Sequence, residues 1–135
     1  MLLMAGCQSA TRDAASDPQA ARLLALSMLY ARYQNANQGR SPASEEQFKT
    51  FIREYGNKIQ ELVQTDDADA VFTSLRDGQP YVVLYGKATA QQQSSGLVAY
   101  ETEGADGKRY VGYRLGYVEE VDEERFRQLI PDVGS

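Results

Sequence analysis

The spacing of the apolar residues changes near the middle of this 135-residue protein, and this change restricts the fold more than any other feature. In the first half, apolar side chains recur at steps of three and four residues, beginning with Leu23, Leu26 and Tyr30. That spacing predicts an amphipathic helix over residues 18–37. In the second half, short β-branched and aromatic runs alternate with glycine-containing turns, which is typical of strands joined by hairpins. Helices followed by consecutive strands predict an α+β domain, with the two N-terminal helices packed on one face of an antiparallel sheet.

Capping residues indicate where the helices begin. Asp17, which is followed by proline, is an N-cap for the first helix. Ser44 and Gln47 form a capping box for a second helix, predicted over residues 45–64. The apolar stripe of this helix continues through Gly56, which costs about 1 kcal/mol relative to alanine. The alternative is therefore two helices that meet at Gly56.

Three extended segments predict a sheet of three to four strands, near residues 80–86, 97–103 and 108–120. The first segment is apolar on both faces, which favours a central position in the sheet. Asp122 is positioned to cap a short last helix that ends at Pro131. We expect a single domain over residues 18–131, because about 115–120 residues suffice for one hydrophobic core but not for two. The last four residues, 132–135, form a tail.

Composition excludes several classes of function. The net charge of −5 argues against a nucleic-acid partner, which requires a basic surface. The protein has one cysteine, which excludes an intrachain disulfide. It has no histidine, which excludes Ser-His-Asp and Cys-His catalysis and zinc sites that use histidine. We also find no phosphate-binding loop or dinucleotide fingerprint. The prediction is a protein that is not an enzyme and that binds no metal and no cofactor.

Two acidic runs remain as candidates for chemistry. One run, Asp66 to Asp69, is predicted to be a solvated loop, although its carboxylates are also suitable oxygen ligands for calcium. The other run, residues 119–124, lies at a predicted helix N-terminus, where the helix dipole stabilises anions. A hydrolase that uses carboxylates alone therefore stays open as the alternative to a binding module.

The single cysteine, Cys7, follows an apolar stretch that ends in Ala5 and Gly6. Small residues directly before a cysteine are typical of the site at which bacterial lipoproteins are cleaved and lipidated. Residues 1–7 then form a shortened signal peptide, and the small polar residues 8–17 form a flexible tether to the domain. No basic residue precedes Cys7, so this interpretation requires a translation start further upstream. The alternative is a free thiol near the N-terminus.

Tyrosine is over-represented, with nine residues, and most of those in the second half lie on predicted strands. Exposed together, they would form a face that binds a sugar or a peptide, because tyrosine offers rigid amphipathic contact area. The alternative is that each ring covers part of a sheet packed against helices. The predicted binding face consists of Tyr81, Tyr85, Tyr100, Tyr110 and Tyr113.

Residues 71–83 contain an R-D-G-x-P-Y core at positions 76–81, followed by 98–101 and by 106–109. With these segments the protein resembles, over about residues 22–131, a group of uncharacterised bacterial lipoproteins that are abundant in planctomycete-type genomes. The resemblance implies a lipoprotein and no particular activity. It assigns no functional residue. From Cys7 and the absence of catalytic motifs we expect a lipid-anchored protein of the cell envelope that faces the periplasm and acts as a structural or interaction module with a protein partner there. Gln8, which follows the cysteine, is similar to signals that favour the outer membrane.

A weaker similarity relates the sequence to the soluble domains of type II secretion pseudopilins, which also lead from a long helix into an antiparallel sheet. The sequence lacks their long apolar N-terminal helix. The similarity implies the same kind of fold and leaves a pseudopilin-like role in an export apparatus as an alternative function.

Overall fold

A computed structural model describes residues 11–54, 69–85 and 96–130 of the protein. It has an α+β fold, which confirms the predicted class. In these described residues, five antiparallel strands form one sheet in the spatial order β1-β5-β4-β3-β2. The strands are Thr11–Asp13 (β1), Val82–Val83 (β2), Leu97–Tyr100 (β3), Lys108–Tyr113 (β4) and Tyr117–Asp122 (β5). The helices are Ala21–Ala36 (α1), Glu45–Glu54 (α2) and Glu123–Leu129 (α3), with short 3-10 turns at Pro18–Ala20 and Ala70–Phe72.

The sheet is covered by helices on both faces. On one face α1 and α2 pack against the sheet around Leu26 and Phe48, together with Val118 from β5. On the other face α3 packs through Phe126 against Val111 and its neighbours. Burial of these side chains in two apolar layers is the main favourable contribution to folding.

A glycine allows α1 to approach the sheet closely. A Cβ atom at Gly112, near the end of β4, would lie 2.2 Å from the Oγ of Ser27. The Ser27 hydroxyl is buried and donates a hydrogen bond of 2.8 Å to the carbonyl oxygen of Leu23, so it leaves no unsatisfied polar group in this contact. Two small residues therefore set the spacing between helix and sheet.

The predicted helices are present where the structure describes them, but the predicted cap at Asp17 is wrong. Residues 18–20 form a 3-10 turn, α1 begins at Ala21, and the Asp17 carboxylate makes no cap because it pairs with Arg12.

The two other caps are confirmed. Ser44 accepts a hydrogen bond from the Gln47 amide at 3.2 Å, and the Gln47 side chain accepts one from the Ala43 amide at 3.1 Å. Asp122 caps α3 by accepting from the Arg125 amide at 2.9 Å. Residues 55–64 of the second predicted helix lie outside the described residues, and so does the alternative break within it.

The strand predictions need correction. The sequence favours a central position for 80–86, but within the described residues 80–85 only Val82–Val83 forms a strand, and it lies at the edge of the sheet beside β3. Pro80 forms an isolated antiparallel bridge with Thr73, and as a proline it has no amide hydrogen for a longer ladder, which suits the edge of a sheet. The segment 108–120 forms two strands, since a turn with Gly116 at a φ of +78° separates β4 from β5. Together with β1, this gives five strands in the described residues instead of the predicted three to four. The segment 97–103 is strand only over 97–100.

The predicted flexible tether is wrong for residues 11–17. Thr11–Asp13 pairs with β5 as the other edge strand, with Arg12 opposite Glu120. The next residue, Ala14, is fully buried, and its amide donates to the carbonyl of Val118 at 2.8 Å. The sequence gives no sign of this strand, because its residues are polar and show no apolar periodicity. Backbone pairing with β5 and the ion pair between Arg12 and Glu120 hold it in the sheet. Residues 8–10 of the predicted tether, like 1–7 and 132–135, lie outside the described residues.

Candidate functional site

The five tyrosines of the predicted binding face do not share a face. Tyr81, Tyr85 and Tyr110 pack on the α1 side of the sheet, whereas Tyr100 and Tyr113 pack on the α3 side. Side chains alternate along a strand, so Tyr110 and Tyr113, three residues apart on β4, point to opposite faces. A single tyrosine surface is therefore ruled out by the register of the sheet.

Most of these tyrosines belong to the core. Tyr81, Tyr100 and Tyr110 are 5%, 7% and 2% exposed. Burial raises the pKa of Tyr81 and of Tyr85, because the phenolate form is disfavoured away from water. The structure thus gives these rings the packing role that the sequence left as the alternative.

The R-D-G turn places Arg76 in a buried ion pair. The Arg76 Nη2 atom lies 2.8 Å from Oε1 of Glu101, and the Glu101 carboxylate is fully buried. The Arg76 guanidinium also stacks on the ring of Tyr110, at 3.8 Å from the ring centroid. A buried carboxylate is tolerated only when its oxygens are paired, and Glu101 is paired on both oxygens.

Two further donors complete the shell around Glu101. The Ser74 hydroxyl donates to Oε2 at 2.7 Å, and the backbone amide of Tyr110 donates to Oε1 at 2.7 Å. The carboxylate therefore replaces a backbone carbonyl as the partner of a strand amide. It joins the R-D-G turn to the middle of the sheet.

The charges continue across the sheet into the N-terminal segment. Arg76 Nη1 lies 2.6 Å from Glu120, whose other oxygen lies 2.9 Å from Arg12. Arg12 also pairs with Asp17 at 2.8 Å, and Asp17 accepts a hydrogen bond of 3.0 Å from the Tyr110 hydroxyl. We call these five charged residues the ion network: Arg12, Asp17, Arg76, Glu101 and Glu120.

The pKa values of the ion network follow from these contacts. The hydrogen bonds from Arg12 and Tyr110 lower the pKa of Asp17. Burial opposes ionisation of Glu120, but the hydrogen bonds from Arg76 and Arg12 outweigh it and lower its pKa. Burial and the hydrogen bond to Asp17 raise the pKa of Tyr110 to about 12. Near neutral pH the carboxylates of Asp17 and Glu120 are therefore ionised, and each forms an ion pair with an arginine.

Asp77, the next residue of the R-D-G turn, binds backbone rather than ligand. Its carboxylate accepts hydrogen bonds from the amides of Gln79 at 2.9 Å, Glu103 at 2.9 Å and Gly104 at 2.8 Å. Burial opposes ionisation, but these amides lower the pKa of Asp77. The R-D-G-x-P-Y core therefore has a structural explanation, because it ties two loops and the N-terminal segment together.

An open cleft lies on the other face of β4 and β5, next to the turn that joins them. Its volume is about 360 Å³. We call it the turn cleft. Its lining residues come from the turn, the two strands and α3: Tyr113, Leu115, Tyr117, Glu119, Arg125 and Leu129.

The apolar surface of the turn cleft is produced by the hairpin. Tyr113 and Tyr117 are register partners on either side of the turn, and their ring centroids lie 5.5 Å apart. Leu115, in the turn itself, is 89% exposed, while Leu129 from α3 is buried at the base. An exposed leucine beside two aromatic rings is an apolar surface without a covering element among the described residues.

Two charged groups border this surface. Glu119 accepts a hydrogen bond of 2.9 Å from the Tyr113 hydroxyl through Oε1. Burial and the Glu119 carboxylate raise the pKa of Tyr113. The Arg125 guanidinium donates one long hydrogen bond of 3.3 Å to Gln128 and, within the described residues, has no carboxylate within ion-pair distance.

Two further depressions of similar size lie among the described residues. One lies between α1 and α2 and is bordered by Tyr33 and Phe51 together with several polar side chains. The other lies beside the end of α1 and is bordered by Gln34 and Arg114. Their volumes, about 400 Å³ and about 360 Å³, are similar to that of the turn cleft, but neither combines paired aromatic rings with an arginine that has no carboxylate partner among the described residues.

The acidic runs do not act as units. Glu120 belongs to the ion network, Asp122 caps α3 and Glu119 borders the turn cleft, so the run 119–124 is divided between three roles rather than serving only a helix start. Asp69 pairs with Lys49 at 3.1 Å, and residues 66–68 lie outside the described residues. Within residues 11–54, 69–85 and 96–130, no group of three potential metal ligands is present.

Sequence reasoning did not identify the turn cleft or the ion network. The available signal for the cleft was a leucine between two tyrosines in a glycine-containing turn, since such a position places an apolar side chain in solvent. Cys7 lies outside the described residues. Among the described helices, none has the length and apolarity needed to cross a bilayer.

Comparison with known proteins finds no matching family model, no matching curated protein and no matching solved structure.

Proposed function

We propose that this protein is a lipid-anchored protein of the bacterial cell envelope that acts by binding a partner rather than by catalysis. The observation that carries the proposal is the position of Cys7, directly after Ala5 and Gly6 and shortly before the folded domain. Strand β1 begins at Thr11, so an extended backbone from Cys7 to that strand reaches at most roughly 14 Å. A lipid on Cys7 would hold the domain close to the membrane surface.

The orientation of the domain follows from β1. Thr11 lies opposite Val121, at the end of β5 remote from the turn at residues 114–116. An anchor at Cys7 would therefore be attached nearer to the Val121 end of the sheet than to the turn cleft, which favours an orientation with the cleft away from the membrane. A partner in the periplasm would have access to the cleft.

The carboxylates support a binding role. A hydrolase that relies on carboxylates needs one acid whose pKa is raised so that it can donate a proton. The described carboxyl groups with shifted pKa values, Asp17, Asp77 and Glu120, are all shifted downward. Arginines and backbone amides bind these carboxylates, so their role is to stabilise the fold and not to transfer a proton.

The path of the N-terminal segment supports a lipoprotein more than a pseudopilin-like component. A pseudopilin continues its long helix from the soluble domain into an apolar N-terminal segment. Here α1 is preceded by the buried Ala14 and by β1, so the backbone runs along the sheet edge before the helix starts. This path favours the lipoprotein.

Metabolic labelling tests the anchor. The gene, with its upstream in-frame codons, is expressed in a bacterium supplied with a clickable palmitate analogue. We expect label on the wild type, recovery in the membrane fraction, and loss of both in Cys7→Ala. Ser9→Ala is the matched control, because it changes the same segment and keeps the cysteine. Unlabelled wild type, or label that persists in Cys7→Ala, would contradict the anchor.

A hydrolysis screen on cell-wall and polysaccharide substrates tests the binding role. We expect no turnover above that of buffer. Turnover that is abolished by Glu119→Gln, or by another single carboxylate substitution that leaves the circular dichroism spectrum unchanged, would show an enzyme instead.

A further inference from the structure

We propose that the turn cleft binds a peptide that presents an apolar or aromatic side chain next to a carboxylate. This inference rests on the proposed binding role and names the site and the chemistry of the partner. It starts from the three kinds of surface that meet in the cleft, which are apolar, cationic and hydrogen-bond accepting.

The apolar surface fits a side chain rather than a sugar ring. Tyr113 and Tyr117 form a wall with ring centroids 5.5 Å apart, and Leu115 and Leu129 supply aliphatic surface beside it. Sugars present hydroxyl groups all around the ring and need many polar partners, because an unpaired buried hydroxyl is unfavourable. Only Glu119 and Arg125 carry charged or amide side chains in this lining.

Arg125 favours a ligand that carries a carboxylate next to its apolar side chain. Arg125 borders the cleft, and no carboxylate of the described residues pairs with it. By contrast, its helix neighbour Arg127 lies 3.8 Å from Glu123. A guanidinium at the edge of an apolar surface is suited to a bidentate hydrogen bond with an incoming carboxylate.

The second carboxylate oxygen of Glu119 is suited to accept a hydrogen bond from a peptide backbone. Glu119 uses Oε1 for the Tyr113 hydroxyl, and within the described residues its Oε2 accepts no hydrogen bond. A peptide amide supplies the matching N–H group. One peptide residue therefore satisfies Glu119, Arg125 and the aromatic wall together, with the carboxylate supplied either by the free C-terminus of the peptide or by an acidic side chain.

The test titrates three peptides into the full-length protein with Cys7→Ser, followed by nuclear magnetic resonance. The first is Gly-Gly-Gly-Phe with a free C-terminal carboxylate, the second is its C-terminal amide, and the third is acetyl-Gly-Glu-Phe-Gly-amide. We expect shifts centred on Leu115 and Tyr117 with the first peptide, the third or both, and the amide to bind about tenfold more weakly or worse. The difference between the first and third peptides identifies the source of the carboxylate.

Two variants on one helix provide the control. Arg125→Gln is expected to weaken the carboxylate peptides about ten- to a hundredfold and to leave the amide peptide nearly unchanged. Arg127→Gln, on the same helix but outside the cleft lining, is expected to change neither. Leu115→Asp is expected to weaken all three peptides, because it places a carboxylate beside the aromatic wall.

Several results would overturn the inference. These are equal binding of the amide and carboxylate peptides, shifts that map elsewhere, shifts at Tyr117 with cell-wall glycan fragments but not with peptides, or shifts that depend on protein concentration alone and so indicate a second copy of the protein. Absence of peptide binding together with palmitate labelling of Cys7 would refute the inference and leave the anchor standing. Peptide binding without labelling would do the reverse.

Discussion

The ion network and the turn cleft lie on opposite faces of the same two strands, and they use their charged groups in opposite ways. In the ion network Arg12 and Arg76 each form ion pairs with two carboxylates. Glu101 is fully buried and accepts hydrogen bonds from four donor atoms. In the turn cleft Arg125 has no carboxylate partner among the described residues, and Leu115 is 89% exposed. The comparison indicates that one face is satisfied internally and supports stability, while the other leaves groups available for a ligand.

The largest loss of stability is expected at Glu101, the fully buried carboxylate of the ion network. Glu101→Ala removes the buried carboxylate and leaves Arg76 with Glu120 as its one remaining carboxylate partner among the described residues. We expect the free energy of unfolding to fall by about 3–5 kcal/mol, because the substitution breaks a buried pair from one side and leaves the Ser74 hydroxyl and the Tyr110 amide without their acceptor. Glu119→Ala, which removes a half-buried carboxylate from the turn cleft, is expected to cost only about 1 kcal/mol. Urea unfolding of both variants checks this, and equal losses would end the distinction between the two faces.

A smaller loss of stability is expected at Asp77, the second residue of the R-D-G turn. Asp77→Ala removes the acceptor for three backbone amides, and we expect a loss of about 1–3 kcal/mol. Asp77→Asn keeps one carbonyl oxygen and is expected to retain part of that stability. Thermal unfolding of the two variants measures the difference. If the alanine variant unfolds at the wild-type temperature, the carboxylate is not what holds the loops.

Acid should weaken the ion network, because its carboxylates stabilise the fold only while they are ionised. The pKa values of Asp17 and Glu120 are lowered in the folded state, so their contribution is fully present above the ordinary carboxyl pKa of about 4. It is lost as the pH falls through the lower folded values, because the unfolded state then binds more protons. We expect stability to fall from about pH 5 downward, and to fall less steeply in Arg12→Gln. The matched control, Arg127→Gln, should keep the wild-type slope, and a slope that Arg12→Gln leaves unchanged would remove Arg12 from the network.

The smallest effect is expected at the tip of the cleft. Leu115→Asp replaces a side chain that is 89% exposed, so the free energy of unfolding should change by less than about 0.5 kcal/mol. Differential scanning calorimetry is sufficient to detect a larger change. A loss above about 1 kcal/mol would mean that Leu115 is covered in the folded protein and is not available to a ligand.

Local signals in the sequence predicted much of the fold and little of the candidate site. The stripe of α1, the Ser44 capping box and the Asp122 cap are local patterns, and the structure confirms them. Strand β1 has no such pattern, because its three residues are polar and gain their place from pairing with β5. Local sequence favours a tether there.

The sites depend on contacts between distant parts of the sequence. Arg76 and Glu101 are 25 residues apart, and Arg12 and Glu120 are 108 residues apart. The division of the tyrosines between two faces depends on strand register, including an irregularity between Leu97 and Ala99. Neither the partners nor the register can be read from residue spacing alone.

Native-state hydrogen exchange at the Tyr110 amide tests the central claim most directly. This amide donates to the buried carboxylate of Glu101, so it should exchange only when the whole domain unfolds, while the amide of Leu115 in the exposed turn exchanges rapidly. We expect Glu101→Gln to accelerate exchange at Tyr110 well beyond what the loss of global stability explains. Rapid exchange at Tyr110 in the wild type, at a rate similar to that of Leu115, would contradict a closed ion network and with it the division of roles between the two faces.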